Sequence, residues 1–407
     1  MRPIINALLM FSLLVIMGLK ANAADESPTV NVVPYAVELS TIMEYKGGDY
    51  LWFHPRVSPL PGQGKDGQSA AIMTFQKHLF LSDYYSGLSY KTTYDGGKTW
   101  SAINTPAELA WVDAGKGIKV SPADMTPGWH AATETVLNVG AEVRYSSEGK
   151  QLADIKRAHQ TTYSVYDPKT EMWSKLKRVE MPLDDKFDVA RSACAQWVAL
   201  DDGTVLLPFY YATSQEVPHS VTVAQFSFDG KDLTYLRHGN EMDLDVVRGL
   251  VEPSLIKFQD TFYLTIRNDE RAYVTSSKDG LNFAPFKPWT FEDGEDLGSY
   301  NTQQHWAVSP AGGLFLCYTR RGANNDHLFR HRAPLFIAQV NPHTLQVIRK
   351  TEKVLVPERG ATLGNFGVVR VGGETWVTVS EGIFTDAARA SQATGATFLA
   401  RIIWGQL

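Results

Sequence analysis

Thr93-Tyr94-Asp95-Gly96-Gly97-Lys98-Thr99-Trp100 decides how the rest of the chain is read. Aspartate followed by glycine turns a hairpin tightly, because the short carboxylate bonds the backbone ahead of it and glycine tolerates positive φ. The threonine and tryptophan pin that turn to its strand. Ser277-Lys278-Asp279-Gly280-Leu281-Asn282-Phe283 is a shortened copy, and Tyr166-Asp167-Pro168-Lys169-Thr170-Glu171-Met172-Trp173 a looser one. Such residues stabilise turns; they are not expected to form a site.

Outward from these turns, helical periodicity is scarce. Short alternating or apolar runs dominate, broken by Asp202-Gly203, Asp229-Gly230 and Asp279-Gly280. The runs recur as a longer unit of three strands ending near an Asp-containing turn and an aromatic residue. Six units are read. The first runs from Arg56 to Trp100, and the second starts at His130 and ends at Trp173. The third holds Ala193–Ala212 and Val221–Leu236, the fourth Glu252–Asp269 and Ala272–Phe283. The fifth holds His305–Arg321 and Ala333–Ile348, the sixth Asn365–Glu381 and Ala396–Trp404. This repetition predicts an all-β fold, a six-bladed β-propeller of four-stranded antiparallel blades. Val33–Tyr45 is strand-like and is expected to close the ring against the last unit.

The amino terminus reads as an export signal. Met1-Arg2 precedes an apolar run from Ile4 to Leu19, and Ala21-Asn22-Ala23 offers the small residues of a cleavage site. Residues 1–23 are therefore expected to be a signal peptide and residues 24–407 one domain, secreted or periplasmic. No later stretch is long and apolar enough to span a bilayer, so no membrane insertion is expected after cleavage. The net charge of −5 argues against a general nucleic-acid binder. Cys194 and Cys317 are the only cysteines, and they read as one disulfide or two buried thiols. No Cys or His spacing matches a zinc site, and neither metal nor cofactor is expected.

The turn motif and the strand clusters resemble the sialidase superfamily of BNR/Asp-box propellers, over nearly all of the mature sequence. In that superfamily an arginine lies in an R-I-P motif on the first strand, and Arg56-Val57-Ser58-Pro59 is a lengthened version. The family's acid/base aspartate precedes the first turn motif, where Asp83 is the best match. Its glutamate opens an E-P strand with the second arginine ending the neighbouring strand, as Glu252-Pro253 and Arg267 do here. Arg332 fits the third arginine, with Arg330 as the alternative. The resemblance implies a carboxylate clamp of Arg56, Arg267 and Arg332, because guanidinium forks bind carboxylates bidentately. The family's tyrosine nucleophile should stand within Gly364-Asn365-Phe366-Gly367, where no phenolic hydroxyl exists. A tyrosyl intermediate is therefore not available to this chain.

Other residues are singled out by their own chemistry. His130 and His305 are read as opening the first strands of two units, and imidazole suits acid–base work. Trp306, Asn365 and Phe366 are candidates for holding a sugar, the two aromatics by stacking on its face. The polar loop from Arg320 to Arg332 is long enough to carry binding function. The leading expectation is an exo-acting glycoside hydrolase on a terminal sialic or uronic acid, with Asp83 as acid and Glu252 or a histidine activating water. Without the tyrosine, inversion is expected. A polysaccharide lyase using His and Arg on a uronate glycan is the alternative, and a non-catalytic glycan-binding propeller the third.

Overall fold

A computed structural model describes residues 30–80, 83–152 and 156–405 of the 407-residue chain. The expected signal peptide, residues 1–23, lies outside the described residues. Strands dominate, with one short α-helix at Asp386–Ala390 among the described residues. No helix there is long and apolar enough to cross a membrane.

The strands run as antiparallel meanders arranged in a propeller-like, all-β molecule. Leu51–Pro59, Ala71–His78 and Tyr85–Thr93 form a three-stranded sheet. Val251–Phe258, Thr261–Arg267, Tyr273–Ser277 and Lys287–Pro288 form a four-stranded one. A five-stranded sheet is led by His305–Ser309 and Gly313–Tyr318. In the last sheet Gly367–Val371, Glu374–Ser380 and Ala396–Trp404 are completed by Tyr35–Glu44, whose Tyr35 pairs with Trp404. The amino-terminal segment thus closes onto the carboxy-terminal one, as its strand-like sequence predicts.

The expected set of six separate four-stranded blades is not formed. Hydrogen bonding gives five sheets, and the second and third sequence units share one of eleven strands. The short strand Val189–Arg191 is responsible. It pairs parallel with His159–Asp167 and antiparallel with Thr204–Ala212, so its backbone is satisfied on both sides and the two meanders fuse.

The core lies between successive meanders. Leu137, Tyr163, Phe209 and Phe226 fill one such layer, and Phe315, Ile337, Val377 and Phe398 another. Trp289, Trp306 and Trp376 are fully buried, and each large side chain withdrawn from water contributes roughly 2–3 kcal/mol. The turns behave as their sequence dictates. Asp95 Oδ1 accepts from Thr99 N at 2.9 Å and Oδ2 from Thr99 Oγ1 at 2.6 Å. Those bonds hold the Asp95 carboxyl down at about 2. Ser277 and Asp279 repeat the arrangement, with Asp279 Oδ1 accepting from Asn282 N at 2.7 Å.

The innermost segments meet around the axis. Cys194 N donates to Asp124 O at 3.0 Å, and Leu255 N to Gln196 O at 3.0 Å. Gln196 crosses the axis, its Nε2 donating to Trp306 O at 2.9 Å and to Val368 O at 3.1 Å. Register shifts interrupt three inner strands, between Phe53 and Arg56, Ala123 and Thr126, and Val251 and Ser254. An extra residue bends a strand and re-aims its side chain. Here the bulges hold His54, Asp124 and Glu252 at φ of 54°, 56° and 45°. Cys194 and Asn365, on other inner segments, have φ of 54° and 62°. Left-handed backbone costs a residue with a side chain roughly 1–2 kcal/mol, and it gathers where side chains must converge.

Candidate functional site

Five left-handed residues on five inner segments mark one end of the axis. Glu252 and Arg267 stand on neighbouring strands, and Arg267 Nη1 donates to Glu252 Oε1. Arg267 Nη2 also reaches Asp269 Oδ1 at 3.0 Å and Asn301 Oδ1 at 3.3 Å. Arg332 Nη2 donates to the carbonyl of the same Asn301. Asn301 therefore holds two guanidinium groups side by side. Burial opposes the charge on Arg267, but Glu252 and Asp269 outweigh it and push its pKa up. Arg332 is compensated only in part by Glu252 and Asp83: burial first, then Arg267 and Arg330, lower it to about 10. Arg267 Nε, Arg332 Nε and Glu252 Oε2 are enclosed without a hydrogen-bond partner among the described residues.

Two glycines press the last inner segment against arginines. A Cβ on Gly364 would lie 2.9 Å from Arg332 Cδ, and one on Gly367 would lie 2.7 Å from Arg56 Cγ. Between them Asn365 turns with positive φ, so an amide stands where the family resemblance expects a phenol.

Asp83 is exposed, yet held twice. Tyr85 Oη donates to its carboxylate at 3.0 Å, and Tyr145 Oη to its backbone carbonyl at 2.7 Å. Its charge is felt by Arg332. Of the residues expected in the site, Glu252, Arg267 and Arg332 stand together, and Gly364, the residue before Asn365, packs against Arg332.

Sequence reasoning misplaces others. His130 does not open an inner strand; it ends Lys119–His130, with Nδ1 on Thr133 Oγ1 at 2.8 Å and Nε2 on Gly203 O at 3.0 Å. Both ring nitrogens are occupied at a hairpin remote from Asp124 on that strand. His305 does open a strand, but it is buried, shares a hydrogen bond with Ser254 Oγ at 2.9 Å, and is pushed well below its ordinary value by burial and Arg56. Phe366 is buried with its ring against His305, and Trp306 is buried with Nε1 donating to Ser254 O at 3.0 Å. Neither stands beside the Glu252–Arg267 pair, and Trp306 borders an axial cavity instead. Arg56 is also buried, reaching Met125 O at 3.3 Å beneath Asp124. It borders an axial cavity of about 380 Å³ lined also by Trp129, Trp197 and Trp306. Arg330 lies in the short turn Phe329–His331 and adds to the positive field on Arg332.

Sequence reasoning misses a second group. His54 Nε2 sits 2.8 Å from Asp124 Oδ1, with Cys194 beside them. Burial opposes ionisation of Asp124, but His54, Arg56 and the Cys194 thiol outweigh it and hold the carboxyl well below the usual range. Burial, and then Asp124, push the Cys194 thiol far up, so it remains a protonated donor. The three could present ligand atoms to a metal ion within 4.8 Å of one another, but the charge of Asp124 is already balanced by its neighbours. Both cysteines are free and buried, which selects the thiols over the disulfide. His54, two positions before Arg56 in His54-Pro55-Arg56, is the signal for this group in the sequence.

No protein-family model and no curated protein matches the chain. Solved structures do match its fold. A Dyadobacter fermentans protein of unknown function superposes with a TM-score of 0.63 at 13% identity, over 91% of this chain and 99% of that one. Trypanosoma rangeli sialidase with the inhibitor DANA gives 0.60 at 11% identity, over 91% of this chain and 60% of that one. NanB sialidase from Streptococcus pneumoniae gives 0.59 at 9% identity, over 88% and 70%. The chain has a sialidase-like fold.

Proposed function

We propose that the chain is an exported glycoside hydrolase acting on a terminal acidic sugar, sialic or uronic. The observation that carries this reading is the pair of arginines joined by Asn301, each with an enclosed Nε lacking a partner, beside an equally unpartnered Glu252 Oε2. Buried polar atoms are normally satisfied, so a cluster of exceptions points to a ligand. A sugar carboxylate supplies acceptors for the guanidinium forks. Asp83, on the exposed rim, gives its proton to the leaving oxygen as the glycosidic C–O bond breaks. Glu252 takes a proton from the water whose oxygen bonds the anomeric carbon. Asn365 can orient that water or a hydroxyl but cannot attack, so the configuration inverts.

The test is a panel of glycans ending in sialic or uronic acid, read for new reducing ends, for ultraviolet absorbance and for binding. Proton NMR of the first-formed anomer then gives the stereochemistry. New reducing ends with an inverted anomer are expected. An unsaturated, absorbing product would replace hydrolysis by β-elimination, and binding without product would leave a lectin.

A further inference from the structure

Val189–Arg191, the strand that fuses two meanders into one sheet, ends on an arginine that the proposed hydrolysis does not use. Arg191 stands opposite Tyr210 across one ladder, and Val189, two residues earlier, is paired with His159 across the other. The guanidinium is half-buried. Its Nε and Nη2 are enclosed and have no hydrogen-bond partner among the described residues.

Among the described residues no carboxylate forms an ion pair with Arg191, and phenols and imidazoles stand around it. It acts on Tyr145, His159, Tyr210 and His219. Burial, then Arg191, lower His159 to about 3, and burial, Arg191 and Arg248 lower His219 to about 4. At neutral pH the imidazoles are uncharged and leave the guanidinium without compensation. A cation enclosed in this way is costly unless an anion meets it. Tyr210, directly opposite Arg191 in the ladder, places a phenol beside the guanidinium. Tyr210 packs in one cluster with Val251, the residue before Glu252, and Tyr145 Oη donates to the Asp83 carbonyl, so this locus adjoins the Glu252 and Asp83 group.

We infer that Arg191 and the Tyr210 hydroxyl form a second anion seat, taking a carboxylate or sulfate ester on a sugar other than the one held by Arg267 and Arg332. The substrate is then a glycan with at least two anionic groups. That substrate class rests on the proposed hydrolase reading; the seat does not.

Inorganic sulfate is the direct probe, titrated calorimetrically into the mature chain in chloride buffer. Saturable binding is expected, with a component weakened at least tenfold in R191Q, whereas R389Q, on the short helix Asp386–Ala390, should change it less than threefold. No saturable binding, or equal binding by R191Q, would overturn the seat. If R191Q does not fold, Y210F serves: weaker sulfate binding supports the seat, and unchanged binding overturns it. Oligosaccharides with a terminal uronate and either a second uronate or a sulfate ester on the next sugar separate the two sources. R191Q should lose at least tenfold affinity for the doubly anionic ligand and little for the singly anionic one. If sulfate binding depends on Arg191 while no glycan is bound, the seat stands and the hydrolase reading fails.

Discussion

Glu252 and Asp83 are both carboxylates of the cleft, but their surroundings set opposite expectations for removing their charge. Glu252 is the partner of a buried guanidinium, and breaking such a pair strands a charge. E252Q is expected to cost about 3 kcal/mol in urea unfolding and to lose turnover. Asp83 lies exposed at the rim, so D83N should leave unfolding within about 0.5 kcal/mol of wild type while turnover falls about a hundredfold or more. Full activity in D83N would remove it from the chemistry. Gly367 tests a steric claim: a Cβ there would also lie 3.1 Å from the Arg56 backbone Cα, which cannot yield cheaply. G367A should destabilise by about 1–3 kcal/mol, and an unchanged midpoint would contradict the contact.

Among the elements, the inner segments carry both the axis and the site. Gln196 ties three of them together, and its Oε1 also accepts from Trp306 N at 2.6 Å. Q196L should lower stability by at least about 2 kcal/mol, because it leaves buried backbone groups unpaired. The turn motif, the closing strand and the Glu252–Arg267 pair were legible because each follows from local chemistry or a fixed spacing. Lys119–His130 was not. Pro122, Pro127 and Gly128 interrupt it and read as loop, although an inner edge facing the axis needs no ladder bond from a proline. That one misreading hid Asp124 and cast the end of the strand, His130, as its beginning. Val189–Arg191 is too short for any periodicity, and its parallel pairing is a tertiary fact. With it went Arg191 and the sheet count.

At the scale of the molecule, buried neutral histidines tie stability to pH. Burial, reinforced by His54 and opposed by Asp83, lowers His78 to about 4, and His159 and His219 lie at about 3 and about 4. The unfolded chain binds protons at these positions below about 6.5, while the folded chain refuses them until near 4. Stability should therefore fall as pH drops through that window, by up to about 1.4 kcal/mol per unit for each histidine. Urea unfolding at pH 7 and pH 5 checks this, and equal stability would contradict the neutral burial. The same fold holds Arg267 and Arg332 side by side next to Glu252, and the central claim is that this site recognises an anion on a sugar. Calorimetric titration with an acidic monosaccharide and with its methyl ester tests that claim most directly. The account predicts that the acid binds at least tenfold more tightly than the ester; equal affinity for the two would contradict it.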